Sequence, residues 1–323
     1  MKAPIPRMAA EGPKPEMSAP IPGQMSTEQM RKVMSMTYKY RGVNFQPMLV
    51  PVENLKAMET FQVRDDDIFV LTYPKCGTHW TMEIVYLILA DGYPEKINRS
   101  EKMSFGALEM SMPTMPVPAY KMAEDLPSPR VFPTHLPENI LPPQIFQNKG
   151  KVVFVTRNPK DCVTSLHRFL TGSNPNAKDN WSEVFDQFLT DEMMNGSWFN
   201  FNLSYWKHRH DSNFLVLKYE DMKRDTKSVV IAIADHIGRV LSDEAIDRVV
   251  ENCSMSAMKK SYKKADEEKV MLFQPGQKEN LVKFLRKGTV GDWKNALTVA
   301  QNERMDEVYF QKMAGSGLTF EYE

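Results

Sequence analysis

The stretch from Ile68 to Trp80 constrains the fold more than any other part of the chain. Ile68-Phe69-Val70-Leu71-Thr72 is an apolar, strand-like run. It enters Tyr73-Pro74-Lys75-Cys76-Gly77-Thr78-His79-Trp80, and a largely apolar segment over 82–90 follows. A strand, a tight turn at Gly77 and a helix point backbone N–H groups at an anion. Lys75 adds a positive charge, Thr78 a hydroxyl, and Trp80 an aromatic face for a base. Phosphate plus base suggests a nucleotide. The loop departs from the pattern G-x-x-x-x-G-K-[ST], because Lys75 precedes the loop's glycine. An ordinary strand-to-helix turn with a surface lysine is therefore the competing reading of this loop alone.

Two further segments carry the same chemistry. Lys151-Val152-Val153-Phe154-Val155-Thr156 reads as a strand buried in a parallel sheet and runs into Arg157-Asn158-Pro159-Lys160-Asp161. Pro159 opens a helix, with Ser165 about two turns in. Arg157 then stands at the carboxyl end of a strand, where open α/β sheets bind ligands, unless it only pairs with Asp161. Near the C-terminus, Arg286-Lys287-Gly288 offers two cations and a glycine to a phosphate. A solvated basic turn is the alternative there.

The segments YPKCGTHW, RNPKDCVTS and RKGTVGDWKN together resemble the cytosolic sulfotransferase family, in its order and near its spacing, over residues 38–323. The C-terminal wording is closest to its sixth subfamily. The resemblance implies transfer of a sulfuryl group from 3′-phosphoadenosine 5′-phosphosulfate (PAPS) to a hydroxyl or amine of a small apolar acceptor, with no metal. It implies a single α/β domain: a mostly parallel sheet flanked by helices, with a P-loop-like strand-loop-helix for the phosphosulfate. His135, in Thr134-His135-Leu136-Pro137, matches the family's base, and Lys75 would neutralise charge developing on the leaving phosphate. Donor contacts carry over to Lys75, Cys76, Gly77, Thr78, His79, Trp80, Arg157, Ser165, Tyr219, Cys253, Met255, Met258, Arg286, Lys287 and Gly288. Lys294, Thr298, Val299 and Glu303 match its dimer segment, which implies a homodimer.

Four departures bear on activity. Cys76 stands where the family has Ser, His79 where it has Thr, Pro133 where it has a Lys, and Met255 where an aromatic faces the adenine. A catalytically weakened nucleotide-binding homologue and a P-loop-like kinase therefore stay open as alternatives.

Composition narrows the rest. Positive and negative side chains balance at 41 each, unlike the basic footprint of a nucleic-acid binder. Three scattered cysteines suit a reducing compartment, here the cytoplasm, and no apolar run is long enough for a transmembrane helix. Residues 1–37, rich in Pro and Met, are expected to be a disordered extension. The proline-rich stretch 113–143 is long for a loop, and residues 103–122 are expected to line the acceptor pocket. Periodicity predicts helices over 181–208 and 227–250.

Overall fold

The computed structural model describes residues 36–98, 106–111, 115–171, 180–267, 285 and 287–323. A small antiparallel hairpin comes first, β1 (Tyr38–Tyr40) and β2 (Val43–Phe45), turned at Arg41 and Gly42 with φ of 48° and 82°. The central sheet follows: β3 (Ile68–Thr72), β4 (Val131–Thr134), β5 (Lys151–Thr156) and β6 (Phe214–Lys218). All neighbours are parallel and the order is β4-β3-β5-β6. Every residue of β3 is buried, and so are the last five of β5, as expected of strands covered on both faces.

The helices are α1 (Val52–Ala57), α2 (Thr78–Leu89), α3 (Ala119–Met122), α4 (Pro159–Thr171), α5 (Trp181–Leu189), α6 (Trp198–Trp206), α7 (Tyr219–Arg224), α8 (Thr226–His236), α9 (Asp243–Asn252), α10 (Met255–Glu267) and α11 (Val299–Met313). Alternation along the strands separates two cores. Ile68, Val70, Val153 and Val155 pack with α2, α8 and α9, whereas Phe69, Leu71, Val152 and Phe154 pack with the aromatic side chains of α5 and α6.

Two sequence expectations need correction. The helical stretch 181–208 is two helices, interrupted where Asn195 and Gly196 adopt φ of 68° and 81°. The stretch 227–250 is likewise α8 and α9, separated after Gly238 at φ 72°. A left-handed residue cannot continue an α-helix, and the amphipathic period on either side does not register the break.

The strand order fixes where a ligand can sit. The chain leaves β3 toward β4, then crosses back to β5 and on to β6. Connections from β3 and β5 thus diverge, and a crevice opens outside their carboxyl ends.

Candidate active site

The first residues past the four parallel strands are Tyr73, His135, Arg157 and Tyr219. Leu71 is in register with Thr134, Thr72 with Val155 and Thr156 with Lys218. One edge of the sheet therefore carries all four side by side, with strands spaced about 4.8 Å.

At the crevice, Tyr73 to Gly77 turns the chain from β3 into α2. Lys75 takes φ 72° and Gly77 φ 114°, and Gly77 caps α2. The first turn of α2 carries no acidic residue, so no carboxylate of that turn offsets the positive end of the helix dipole. Thr78 Oγ1 lies 2.6 Å from Thr72 Oγ1. The Lys75 ammonium sits 4.4 Å from the centroid of Phe169, on α4. Cys76 is buried with its Sγ 3.6 Å from Cys162 Sγ, and burial pushes the Cys162 thiol well up, so these are packing thiols.

His135 is oriented by two neighbours. Its Nδ1 is 2.8 Å from the Thr72 carbonyl. A carbonyl only accepts, so Nδ1 bears the proton of the neutral ring and Nε2 keeps its lone pair. Its backbone N–H donates to Glu109 Oε1 at 2.9 Å, and Thr134 Oγ1 donates to Glu109 Oε2 at 3.0 Å. Glu109 is fully buried, and its carbonyl accepts from Asn54. Nothing in the sequence marks it, since it stands alone in a Met-rich segment. The His79 ring is half-buried and meets Tyr262 edge-on at 6.2 Å. Burial first, then the positive charge of Lys75, pushes its pKa down to about 3. His79 is thus a neutral imidazole beside Lys75.

On the other side of the loop, Arg157 is 5 % exposed. Its Nη2 donates to the Thr289 carbonyl at 3.0 Å and Nη1 to the Lys75 carbonyl at 3.4 Å. Its guanidinium lies over Tyr219 at 4.4 Å and 3.6 Å from Asp161. Burial alone would loosen its proton, but Tyr219 and Asp161 outweigh burial and keep it charged. The ion pair with Asp161 is thus present, and Arg157 stands at the carboxyl end of β5. Its buried Nε has no hydrogen-bond partner among the described residues.

Around Tyr219 the remaining groups converge. Trp80 meets it edge-on at 5.4 Å and donates its indole N–H to the Cys253 carbonyl at 3.0 Å. A cavity of about 170 Å³ lies between Trp80, Tyr219, Lys223, Cys253 and Met255. Gly288, at φ 65°, approaches so closely that an added Cβ would stand 2.4 Å from Met255 Cε. Lys287 pairs with buried Asp292 at 2.7 Å. Met258 is buried, in α10. Ser165 lies on α4 between Cys162 and Phe169, at helical spacing, on the face turned to the loop.

Trp80, Tyr219, Cys253 and Met255 line that cavity, while the turn from Lys75 to His79, His135 and Arg157 stand at the carboxyl ends of β3, β4 and β5. Arg286 lies outside the described residues. Within 103–122, residues 103–105 and 112–114 also lie outside them. Ala107, Leu108, Glu109 and Ala119 are core rather than an open pocket wall, a partial correction. Among the described residues no group of three His, Cys, Asp or Glu is placed to hold a metal ion. No helix there is long and apolar enough to cross a membrane.

Residues 65–317 match the family model described as "Sulfotransferase domain". The chain belongs to the sulfotransferase family. This sulfotransferase is 38% identical to rat sulfotransferase 1C2 over 282 residues, 85% of this chain and 92% of the relative. It is 35% identical to the rabbit amine sulfotransferase over 286 residues, 87% of this chain and 92% of that one. Among solved structures, the mouse sulfotransferase SULT7A1 complexed with PAP superposes with a TM-score of 0.69 at 30% identity, covering 87% of this chain and 95% of that one. Family membership sets the kinase alternative aside.

Proposed function

We propose that this sulfotransferase moves a sulfuryl group from PAPS to a hydroxyl or amine of a small apolar acceptor, with His135 as general base. The single observation that carries the reading is Arg157, a buried charged guanidinium at the end of β5 whose Nε has no hydrogen-bond partner among the described residues. A nucleotide bearing an extra 3′-phosphate gives that cation, together with Ser165, Lys287 and Gly288, an anion to hold. The glycine cradle at Gly288, closed against a side chain by Met255, and the positive end of α2 fit the same ligand. Trp80, Tyr219 and Met255 line a cavity suited to the base, with a thioether packing against its face where the family has an aromatic. Met258 and Cys253 support that wall.

PAPS supplies the sulfuryl group, whose transfer passes through a loose, in-line transition state. His135 Nε2 accepts the acceptor's proton, while Thr72 and Glu109 hold the ring and its backbone. Lys75 and the N–H groups at the start of α2 stabilise charge developing on the leaving phosphate. To reach it, the Lys75 ammonium turns from Phe169, whose half-exposed ring then faces an apolar acceptor. His79, neutral and next to Lys75, donates where the family uses a hydroxyl. Pro133 stands on the edge strand β4, where a missing N–H is tolerated. The cation that the family places there is absent, and Lys75 carries the charge stabilisation. One relative bears the name amine sulfotransferase, in keeping with an acceptor nitrogen as well as an oxygen. Three unpaired cysteines suit a reducing cytoplasm. Lys294, Thr298, Val299 and Glu303 form the surface through which two copies would pair.

Radiolabelled PAPS incubated with a panel of phenols, steroids, alcohols and amines tests the reading. The wild type should label at least one class, and His135→Ala should lose about 10²–10⁴-fold in turnover, the scale of a general base. A His135→Ala protein as active as wild type overturns the assignment of the base.

A further inference from the structure

The proposed 3′-phosphate site is split between distant parts of the chain: Arg157 follows β5, whereas Lys287 and Gly288 precede α11. One buried side chain spans the two. Asp161, 1 % exposed in the first turn of α4, accepts the Gly291 N–H at its Oδ2 (2.9 Å) and the Trp293 N–H at its Oδ1 (3.0 Å). Asn158 Nδ2 donates to Oδ2 at 3.1 Å, and the Asp161 N–H donates to Asn158 Oδ1 at 2.8 Å. Asn158 is itself fixed, by Glu220 Oε1, which accepts both its N–H and its Nδ2. Arg157 completes the circle at 3.6 Å from Oδ2. The carboxylate therefore meets the arginine on one side and the loop's backbone on the other.

We propose that Asp161 is a positioning residue for donor binding: it latches the loop 287–293 onto α4 and so sets Lys287 and Gly288 opposite Arg157. The inference rests on the donor reading above. Asp161 does not touch the donor, because its oxygens are taken by the loop and by Asn158. Asp292, next along the loop, adds a second tie: its buried carboxylate receives Arg168 from α4 as well as Lys287 and Asn295. Gly291 at φ 84° makes the turn that presents both amide N–H groups to Asp161. The latch has a direct physical consequence. A carboxylate accepts at both oxygens, whereas an amide accepts at one and presents N–H to the other donor, so Asp161→Asn must release either Gly291 or Trp293.

Steady-state kinetics and hydrogen exchange on Asp161→Asn test it. The donor KM should rise about 10–100-fold, the range for a lost hydrogen bond to a charged group, with kcat within a few-fold and the acceptor KM unchanged. Affinity for adenosine 3′,5′-bisphosphate should fall while that for 5′-AMP holds, and the Gly291 and Trp293 amides should exchange faster while β5 does not. An unchanged donor KM, or a loss shared equally by both nucleotides, overturns the latch. Should Asp161→Asn fail to fold, the wild type decides. Its Gly291 and Trp293 amides should gain protection with the bisphosphate and not with 5′-AMP, and equal responses count against the latch. If wild type binds both nucleotides alike, the donor reading fails instead of the latch.

Discussion

Two histidines near the carboxyl ends of the strands sit in different surroundings. His135 is half-buried, anchored through Nδ1 and left with a lone pair on Nε2. His79 sits beside Lys75 and is kept neutral, its pKa pushed down to about 3. The folded value lies below the usual 6.5, so between pH 6.5 and about 3 the unfolded chain binds the proton more tightly. Stability is therefore lost as pH falls through that window. His79→Thr should lose less stability than wild type between roughly pH 7 and pH 4.5, measured by urea midpoints. Part of the ring faces the cleft, so the gain is a fraction of the full linkage. Equal acid sensitivity of the two proteins shows that His79 is not enclosed in this way.

At the scale of elements, the turn from β3 to α2 is the most exacting piece. Gly77 takes a left-handed φ of 114°, and an added Cβ would stand 2.9 Å from Tyr219 Cδ2. Gly238 also has positive φ, 72°, but faces open space. Gly77→Ala should thus destabilise by about 1–3 kcal/mol from backbone strain, plus the displacement of Tyr219, and weaken adenosine 3′,5′-bisphosphate binding. Gly238→Ala should show the strain alone, with nucleotide affinity intact; thermal melts and calorimetry on both variants separate the contributions. Unaltered nucleotide affinity in Gly77→Ala contradicts the role given to the loop.

This turn was legible in the sequence because strand, glycine and helix are consecutive. So were β5 and Arg157, since a continuous apolar run ending in an arginine needs no partner to be recognised. Glu109 and Asp161 were not legible as supports. Their partners for the site, Thr134 and His135 in one case and Gly291 and Trp293 in the other, are brought near only by folding. Charge in an isolated segment reads as solvated. The hairpin β1–β2 escaped for a related reason: three-residue strands have too few positions to show alternation. Helix breaks at Asn195-Gly196 and Gly238 were hidden because the apolar period resumes on either side.

For the whole molecule, the parallel sheet and its two cores make one α/β domain, and α11 begins at an exposed end. Thr298 caps α11 in a reciprocal pair with Gln301, and Val299 is 76% exposed. Lys294 pairs with Glu323 of the same chain at 2.6 Å, on the surface, where such a pair contributes little and can be exchanged. Val299 in the middle of a small two-fold interface would make one charge sufficient to split it. We expect a homodimer in solution and a monomer for Val299→Glu with activity retained. Light scattering at micromolar concentration checks this, and a monomeric wild type removes the segment as an interface.

In the proposed reading, Arg157 makes the site selective for a 3′-phosphate. Calorimetry of wild type and Arg157→Ala with adenosine 3′,5′-bisphosphate and with 5′-AMP tests it most directly. Wild type should bind the bisphosphate more tightly, by about 10–100-fold, and Arg157→Ala should lose most of that preference while its affinity for 5′-AMP changes little. Equal affinity of the wild type for the two nucleotides would contradict it.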